Sequence, residues 1–534
     1  MMRLLRTSGL VTIATALALA TACTSDAPQQ ATAGSDGATA ASSAATGYYE
    51  EPARPQIHLS AERGATGEPH GLVFDGGRYH AFFALPADSG AQWGHAYSAN
   101  LIDWEHLPPA RLGEGELQVG PGSVLPDTAD VTGLSSGARP ALIAFYTATA
   151  PDGSRTIARA ASRDGGITWS PLSEAIAFSD GRGAELRDPF VSYHPASGRY
   201  LLTAAGDAGV WLYASPDLVN WEALSTIGPA ADATAEGWRA PQLIPLREYL
   251  SSTLRYVLLV NTEAGAPAGG GGTRYFVGDF DGDTFTIADG ARTARWLDAG
   301  PDFAGFGTYL HAPTPENRRL GLGLLHAPDA PSDRLPHLAF TLPRALTLHQ
   351  RADGARLKQV FVPDLFGKRG RRLKLNRLSD LVVTDLHRSI ESWGHAPLDV
   401  NLDTPGGEVP DFTLTWFGSG GDTVSVGYDA ARAVYFVDRT RLRNTGFGES
   451  SRTRQEVARK PDAQAESLRI LLDRTTVELL ADDGFTAVSA AFALGDDGRQ
   501  GLYLDGAAEM TGTVYELLPA RPTPESVARV RLGK

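Results

Sequence analysis

Four times between residues 98 and 287 the chain turns the same corner. SANLIDWE (98–105), SRDGGITWS (162–170) and SPDLVNWE (215–222) each carry a serine, an Asp or Asn two residues on, and a tryptophan four or five residues later. GDFDGDTFTI (278–287) is a looser copy with Phe285 in the tryptophan's place. The anchors Trp104, Trp169, Trp221 and Phe285 stand 65, 52 and 64 residues apart. Between them run short apolar alternations such as YHAFFAL (79–85), ALIAFYTAT (141–149), RYLLTAAG (199–206) and RYVLLVNT (255–262), broken by Gly, Pro and Asp. That is strand patterning. A strand unit repeated at this period is the signature of a propeller, one four-stranded blade per repeat. Four marked blades, with room for one more before residue 350, predict an all-β chain with a five-bladed β-propeller over 51–350. The anchors are read as blade-packing residues.

After residue 385 the corner disappears. FTLTWFG, TVSVGYDAARAVYFVDRT, SLRILLDRTTVELLADDG and GTVYELLPA read as strands joined by Asp/Gly turns, which predicts a C-terminal two-sheet β-sandwich over 386–534. Residues 351–385 are expected to link the domains. Their basic run FGKRGRRLKLNR (366–377) is read as a solvated interdomain loop.

The net charge is −14, from 62 carboxylates against 48 Lys and Arg, which argues against nucleic acid as a partner. The twelve histidines show no metal-ligand spacing, and no metal or other cofactor is expected. GAPAGGGG (265–272) lacks the lysine and the strand-to-helix setting of a phosphate loop and reads as a loop of blade four.

The N-terminus speaks to destination. Arg3 and Arg6, a short apolar stretch from Leu10 to Leu19, and Ala20-Thr21-Ala22-Cys23 make a secretory signal that is too short to span a bilayer. The last four residues resemble a bacterial lipobox, in which the cysteine is lipidated. Residues 1–22 are then a lipoprotein signal and Cys23, the single cysteine, the anchor. The alternative is full secretion. Residues 23–50 are small and polar and read as a disordered tether.

Seven motifs, in order, resemble glycoside hydrolase family 32, the invertases, levanases and inulinases. They are QWGHAYSANLIDWEHLPPA (92–110), LRDPFV (186–191), YFVGDFDGDTF (275–285), LDAGPDF (297–303), LAFTLPRALTL (338–348), VGYDAARAVYFVDRTR (426–441) and LRILLDRTTVELLADDG (468–484). The resemblance implies a funnel in a five-bladed propeller, a following sandwich, and retaining cleavage of β-fructofuranosides without a metal. Retaining cleavage needs two carboxyl groups about 5–5.5 Å apart, one attacking and one transferring the proton. In this family a third carboxylate holds sugar hydroxyls as positive charge develops.

The third carboxylate is expected at Asp188, beside Arg187, in Arg187-Asp188-Pro189. The other two positions depart from the family. Where it has Asn-Asp-Pro-Asn-Gly, this chain has Gly67-Glu68-Pro69-His70-Gly71, which makes Glu68 the candidate nucleophile. Where the family has Trp-Glu-Cys-Pro-Asp-Leu, this chain has Trp238-Arg239-Ala240-Pro241-Gln242-Leu243. An arginine stays protonated at any working pH and transfers no proton. Glu236 is the weak substitute acid/base candidate, with His70 as another proton source. Where the family has Phe-Ser-Gly-Ser, this chain has Gly120-Pro121-Gly122-Ser123. His70, Trp93, Ser123, Arg187 and Arg239 are the expected substrate-binding residues, with Trp93 either lining the funnel or buried.

Two readings follow. In one the chain is a family 32-like hydrolase with a changed substrate or mechanism, Arg239 gripping a carboxylate, phosphate or sulfate of an anionic glycan. In the other it is a non-catalytic, surface-tethered carbohydrate-binding lipoprotein. A structural adhesion role has no particular motif in its favour.

Overall fold

In a computed structural model the chain is described over residues 51–520, apart from 52, 63, 87–89, 136, 138, 175, 208, 229–236, 289–294, 328–338, 376–387, 389, 443–447, 461–465, 495–498 and 507–509. Cys23 and Glu236 lie outside the described residues. Five sheets follow one another from Pro69 to Phe361, each built on a four-stranded antiparallel meander; a short parallel strand, Ala177–Phe178, adds to the edge of the third and Arg295–Trp296 pairs into the fourth, and together they make the five-bladed β-propeller. Their innermost strands are Pro69–Asp75, Gln118–Pro126, Arg187–His194, Trp238–Arg247 and Phe303–Thr308. The ring closes where Leu310, just past the fifth inner strand, donates to the Leu72 carbonyl at 2.9 Å and accepts from the Phe74 amide at 2.9 Å.

The repeated corner has a physical reason. It joins the third and fourth strands of a blade, and the Asx side chain caps the turn. Asn100 Oδ1 accepts from the amides of Ile102 and Asp103, and Asp217 Oδ1 from those of Val219 and Asn220. Asp164 and Asp281 do the same in blades two and four. The next residue is left-handed each time, at φ 66° for Leu101, 80° for Gly165, 65° for Leu218 and 110° for Gly282. The anchors then drop inward: Trp104, Trp221 and Phe285 are buried, and Trp169 packs against the core cluster that holds Trp221.

Residues beyond 361 form the β-sandwich, a six-stranded sheet facing a five-stranded one around Trp416, which is wholly buried. The described part of the stretch expected to link the domains, 351–375, is mostly strand. Gly354–Phe361 is the outer strand of blade five and Arg369–Leu375 pairs with Thr511–Leu517 in the sandwich. Three of its basic side chains are answered internally, Arg369 by Asp399 at 2.6 Å, Arg371 by Glu516 at 2.6 Å and Lys368 by Asp103.

A buried ionic seam joins the two domains. Arg344 of blade five reaches Asp298 at 2.8 Å and Glu478 of the sandwich at 2.5 Å, all three side chains fully buried. Arg439 of the sandwich reaches Asp302 at 2.6 Å. His58, ahead of the first blade, bridges Asp473 at 2.8 Å and Glu478 at 3.0 Å. Burial alone would lower the His58 pKa, but hydrogen bonds and charge from the two carboxylates raise it to about 9. Burial likewise opposes ionisation of Asp473 and Glu478, and His58 and Arg344 overcome it and hold both below their usual values.

The signs are opposite for the two kinds of group. The His58 contribution is complete below its ordinary value of 6.5 and fades as pH rises through about 9. The carboxylate contributions are complete above about pH 4.5 and fade below it. Denaturation midpoints should therefore form a plateau between those limits. Replacing His58 by Gln should lower stability by about 3–5 kcal/mol, as expected for breaking a buried pair, and flatten the alkaline fall. Denaturant titration across pH checks both.

Candidate active site in the propeller funnel

All five inner strands carry a register shift within their first few residues, at Pro69/Leu72, Val119/Gly122, Arg187/Phe190, Arg239/Gln242 and Phe303/Gly305. Such bulges re-aim side chains and recur beside active sites. Here the bulges of blades one, two, four and five border one funnel, a cavity of about 520 Å³ whose walls include Glu68, His70, Pro121, Arg239, Ala304 and His326.

Glu68 is fixed by its backbone. Its carbonyl accepts from Ala84 N at 3.0 Å and Gly67 N donates to Ala84 O at 3.2 Å, while the following proline favours an extended conformation. Its carboxylate lies under blade five: a Cβ built on Gly305 would stand 3.5 Å from Glu68 Oε1 and 3.0 Å from Asn261 Nδ2.

Asp188 sits at φ 57°, a left-handed conformation rare outside glycine, and its amide donates to Thr147 Oγ1 at 2.8 Å. Asp188 Oδ2 accepts from the Ala240 amide at 3.2 Å, and Arg187 Nη2 donates to the Trp238 carbonyl at 3.1 Å. The Arg-Asp pair of blade three thus grips the backbone on both sides of residue 239. Ala240, at φ 42°, completes that bend.

Held there, Arg239 bridges two carboxylates. Its Nη2 lies 2.8 Å from Glu68 Oε1 and its Nε 3.2 Å from Glu263 Oε1. The funnel mouth is electrostatically coupled. Burial raises the Glu68 pKa, the Arg239 charge opposes that rise, and the Asp188 charge adds to it. Burial also raises Asp188, against the Ala240 hydrogen bond and the charges of Arg187 and Arg239. His70 is lowered to about 3 by burial and by Arg239, so it is neutral at physiological pH. Glu68, Asp188 and Arg239 are therefore electrostatically coupled, Arg239 pairing with Glu68 and Glu263 while Asp188 acts through its charge.

Two expected binding residues do not reach the funnel surface. Trp93 is 0% exposed, donates its indole N–H to the Gly120 carbonyl at 3.1 Å and packs against His70, Phe82 and Tyr146. Ser123 is 1% exposed and its Oγ accepts from the Val191 amide at 2.9 Å, tying blade two to blade three. The structure adds residues that the sequence did not single out. Glu263 directly follows the strand RYVLLVNT; since Trp238 pairs with Thr262, hairpin register would have placed it beside the Arg239 segment. His326 carries no comparable signal. It lines the same funnel, its pKa lowered by burial and by Arg239. Among the described residues no group of three or more His, Cys, Asp or Glu could hold a metal.

Residues 58–360 match the glycosyl hydrolases family 32 N-terminal domain and residues 373–509 the family's C-terminal domain. The chain belongs to glycoside hydrolase family 32. It is 29% identical to a levanase of Bacillus subtilis (strain 168) over 88% of its own length and 70% of that protein. To a levanase of Bacillus sp. (strain L7) it is 31% identical over 82% of its length, but it spans about half of that relative, 49%. The crystal structure of exo-inulinase from Aspergillus awamori has the same fold, with a TM-score of 0.75 at 24% identity over 88% of this chain and 99% of that one. Its family 32 relatives are glycoside hydrolases, so a carbohydrate ligand and a hydrolase scaffold are the common ground.

Removing the cation should expose the charge balance of the funnel. In Arg239→Gln the Glu68 carboxyl should titrate at higher pH than in the parent, since burial and Asp188 then act unopposed. Carbon-13 NMR of labelled glutamate, assigned with Glu68→Gln, measures the direction.

Proposed function

We propose that this chain is an exported family 32 hydrolase that cleaves fructofuranosides or a related anionic glycan by a modified retaining route. Glu68 is the nucleophile and Asp188 the stabiliser of the oxocarbenium-like transition state. The observation that carries this reading is the 2.8 Å ion pair between Glu68 and Arg239. A buried carboxyl drifts toward its neutral, non-nucleophilic form, and the guanidinium beside Glu68 opposes that rise and favours the ionised oxygen that attack requires. Attack moves an oxygen lone pair of Glu68 to the anomeric carbon as the bond to the departing oxygen breaks, leaving a neutral glycosyl ester and an anionic leaving group. Arg239 faces that group with fixed positive charge and, on an anionic substrate, with a forked donor pair.

Arg239 supplies no proton. General acid assistance is worth about 10²–10⁴-fold, so strongly basic alkoxides should leave slowly and good leaving groups should not. His70, held neutral, is not an acid near pH 7. Glu263 beside Arg239, and Glu236 three residues before it in sequence, are the carboxyls left for proton transfer. The same ion pair also favours a second reading: it occupies the Glu68 oxygen, as suits a non-catalytic carbohydrate-binding protein.

An aryl β-fructofuranoside with a good leaving group separates the two. Turnover of that substrate should exceed turnover of sucrose, levan or inulin by about 10²–10⁴-fold and vanish in Glu68→Ala. Glycan binding with no turnover of the aryl substrate refutes the hydrolase and leaves the binding protein. Export and anchoring at Cys23 are part of the proposal, in keeping with the Aspergillus awamori relative, an extracellular exo-inulinase. Cys23→Ser should move the protein from the membrane fraction to the soluble fraction and abolish labelling by a fatty-acid probe.

A further inference from the structure

The inner strands of blades three and four run from the funnel to the opposite face of the propeller, ending at His194 and Arg247. A second cavity of about 400 Å³ lies between those ends and the loop after the inner strand of blade five. Asp188 and His194 belong to one strand, which sets the cavity roughly 20 Å from the funnel mouth. None of the funnel chemistry uses it.

Its charge runs against that of the chain, which is −14 overall. Arg247, Arg318 and Arg319 all line it. Arg247 is answered by Glu316 at 2.8 Å. Arg319 meets no carboxylate among the described residues. Its Nη1 and Nη2 donate to the carbonyls of Tyr309 at 3.4 Å and Pro245 at 3.2 Å, and its Nε is buried without a hydrogen-bond acceptor. Burial pushes its pKa down to about 10. The exposed Arg318 has no side-chain ion pair among the described residues. Nearby acids are engaged elsewhere, Asp75 with Arg139 at 2.7 Å and Glu248 with Arg255 at 3.1 Å. A partly desolvated guanidinium with no carboxylate partner is destabilising, and a bound oxyanion reduces that cost.

The walls suit a sugar-sized body. Tyr193 is 46% exposed, which leaves ring surface available. His194 donates or accepts at both nitrogens, with Tyr256 Oη at 2.9 Å and Ser197 Oγ at 2.8 Å, so the wall behind it is preorganised. His311, on the facing loop, is held at φ 57°. Strain of this kind clusters at ligand sites.

We propose that this cavity is a second ligand site that takes a sugar-sized organic anion, its phosphate or carboxylate on Arg319 and Arg318 and its ring against Tyr193. Isothermal titration of the full chain with fructose 6-phosphate, galacturonate, inorganic phosphate and fructose tests it, and the two organic arms distinguish phosphate from carboxylate. Saturable binding of either organic anion is expected, weakened about tenfold or more by Arg319→Gln, measurably by Arg318→Ala, and retained in Arg239→Gln. Arg318 is exposed, so its variant keeps the test valid if Arg319→Gln fails to fold. The proposal is overturned if neither organic anion binds, if inorganic phosphate binds as tightly, if Arg318→Ala and Arg319→Gln change nothing, or if Arg239→Gln abolishes binding.

Discussion

Five inner strands arranged around one axis can bring their first residues together at one end of that axis, and there a chemical site can be assembled and presented by several blades. In this propeller the inner-strand bulges do the presenting. Each inserts a step between a strand's first residues and its regular ladder, and in blades one, two, four and five those first residues include lining residues of the funnel. The bulge in blade three is stabilised by Thr147 below it and in turn grips the bulge in blade four, through the Trp238 carbonyl and the Ala240 amide. Asp188 therefore has two functions open to it: its charge acts on the funnel, and one of its oxygens holds residue 239 in position.

That coupling makes the two departures from the family pattern a single change in the charge logic of the site. An arginine at 239 without a carboxylate opposite would be a poorly solvated cation, of the kind that costs several kcal/mol. A carboxylate at 68, already raised by burial and by Asp188, would be raised further without a cation beside it. Each residue removes the other's penalty. The extra methylene of Glu68 also gives its oxygen reach toward the guanidinium at 2.8 Å, where an aspartate on the same backbone would stop short. Glu263 then balances the second edge of the guanidinium from the neighbouring strand end.

Most of the architecture was legible in the sequence because it repeats. The Ser–Asx–Trp corner is a local hydrogen-bond device, complete within eight or nine residues, and its spacing reports blades directly. Glu68, Asp188 and Arg239 were legible through their motifs; Glu68 and Arg239 line one cavity, and Asp188 lies buried against the Arg239 segment. Trp93 and Ser123 sit in equally recognisable motifs, yet their side chains turn inward, because the alternation of a strand is shifted by a bulge that the sequence does not display. The strand at 354–361 was hidden by a basic composition that belongs to its neighbour. Contacts between distant segments, such as Glu263 with Arg239 or His58 with Asp473, depend on how blades and sandwich close on each other and have no local signature.

The ionic seam bears on the site as well as on stability. Asp302, bonded to Arg439 of the sandwich, adjoins the inner strand of blade five, and His326 donates its amide to the Asp302 carbonyl at 2.7 Å. The cleft between the domains, about 520 Å³, is lined by Arg239, Glu263, the glycine-rich loop at 268–271, His326 and Arg439. It shares Arg239, Ala304 and His326 with the funnel. A shift of the sandwich would therefore move Asp302 and His326, and with them the wall that faces Arg239. Fully buried ion pairs resist such shifts strongly, since separating either partner leaves an uncompensated charge. The sandwich thus fixes one side of the funnel, and the position of Arg239's surroundings is set as much by Arg439 and Arg344 as by the blade that carries it.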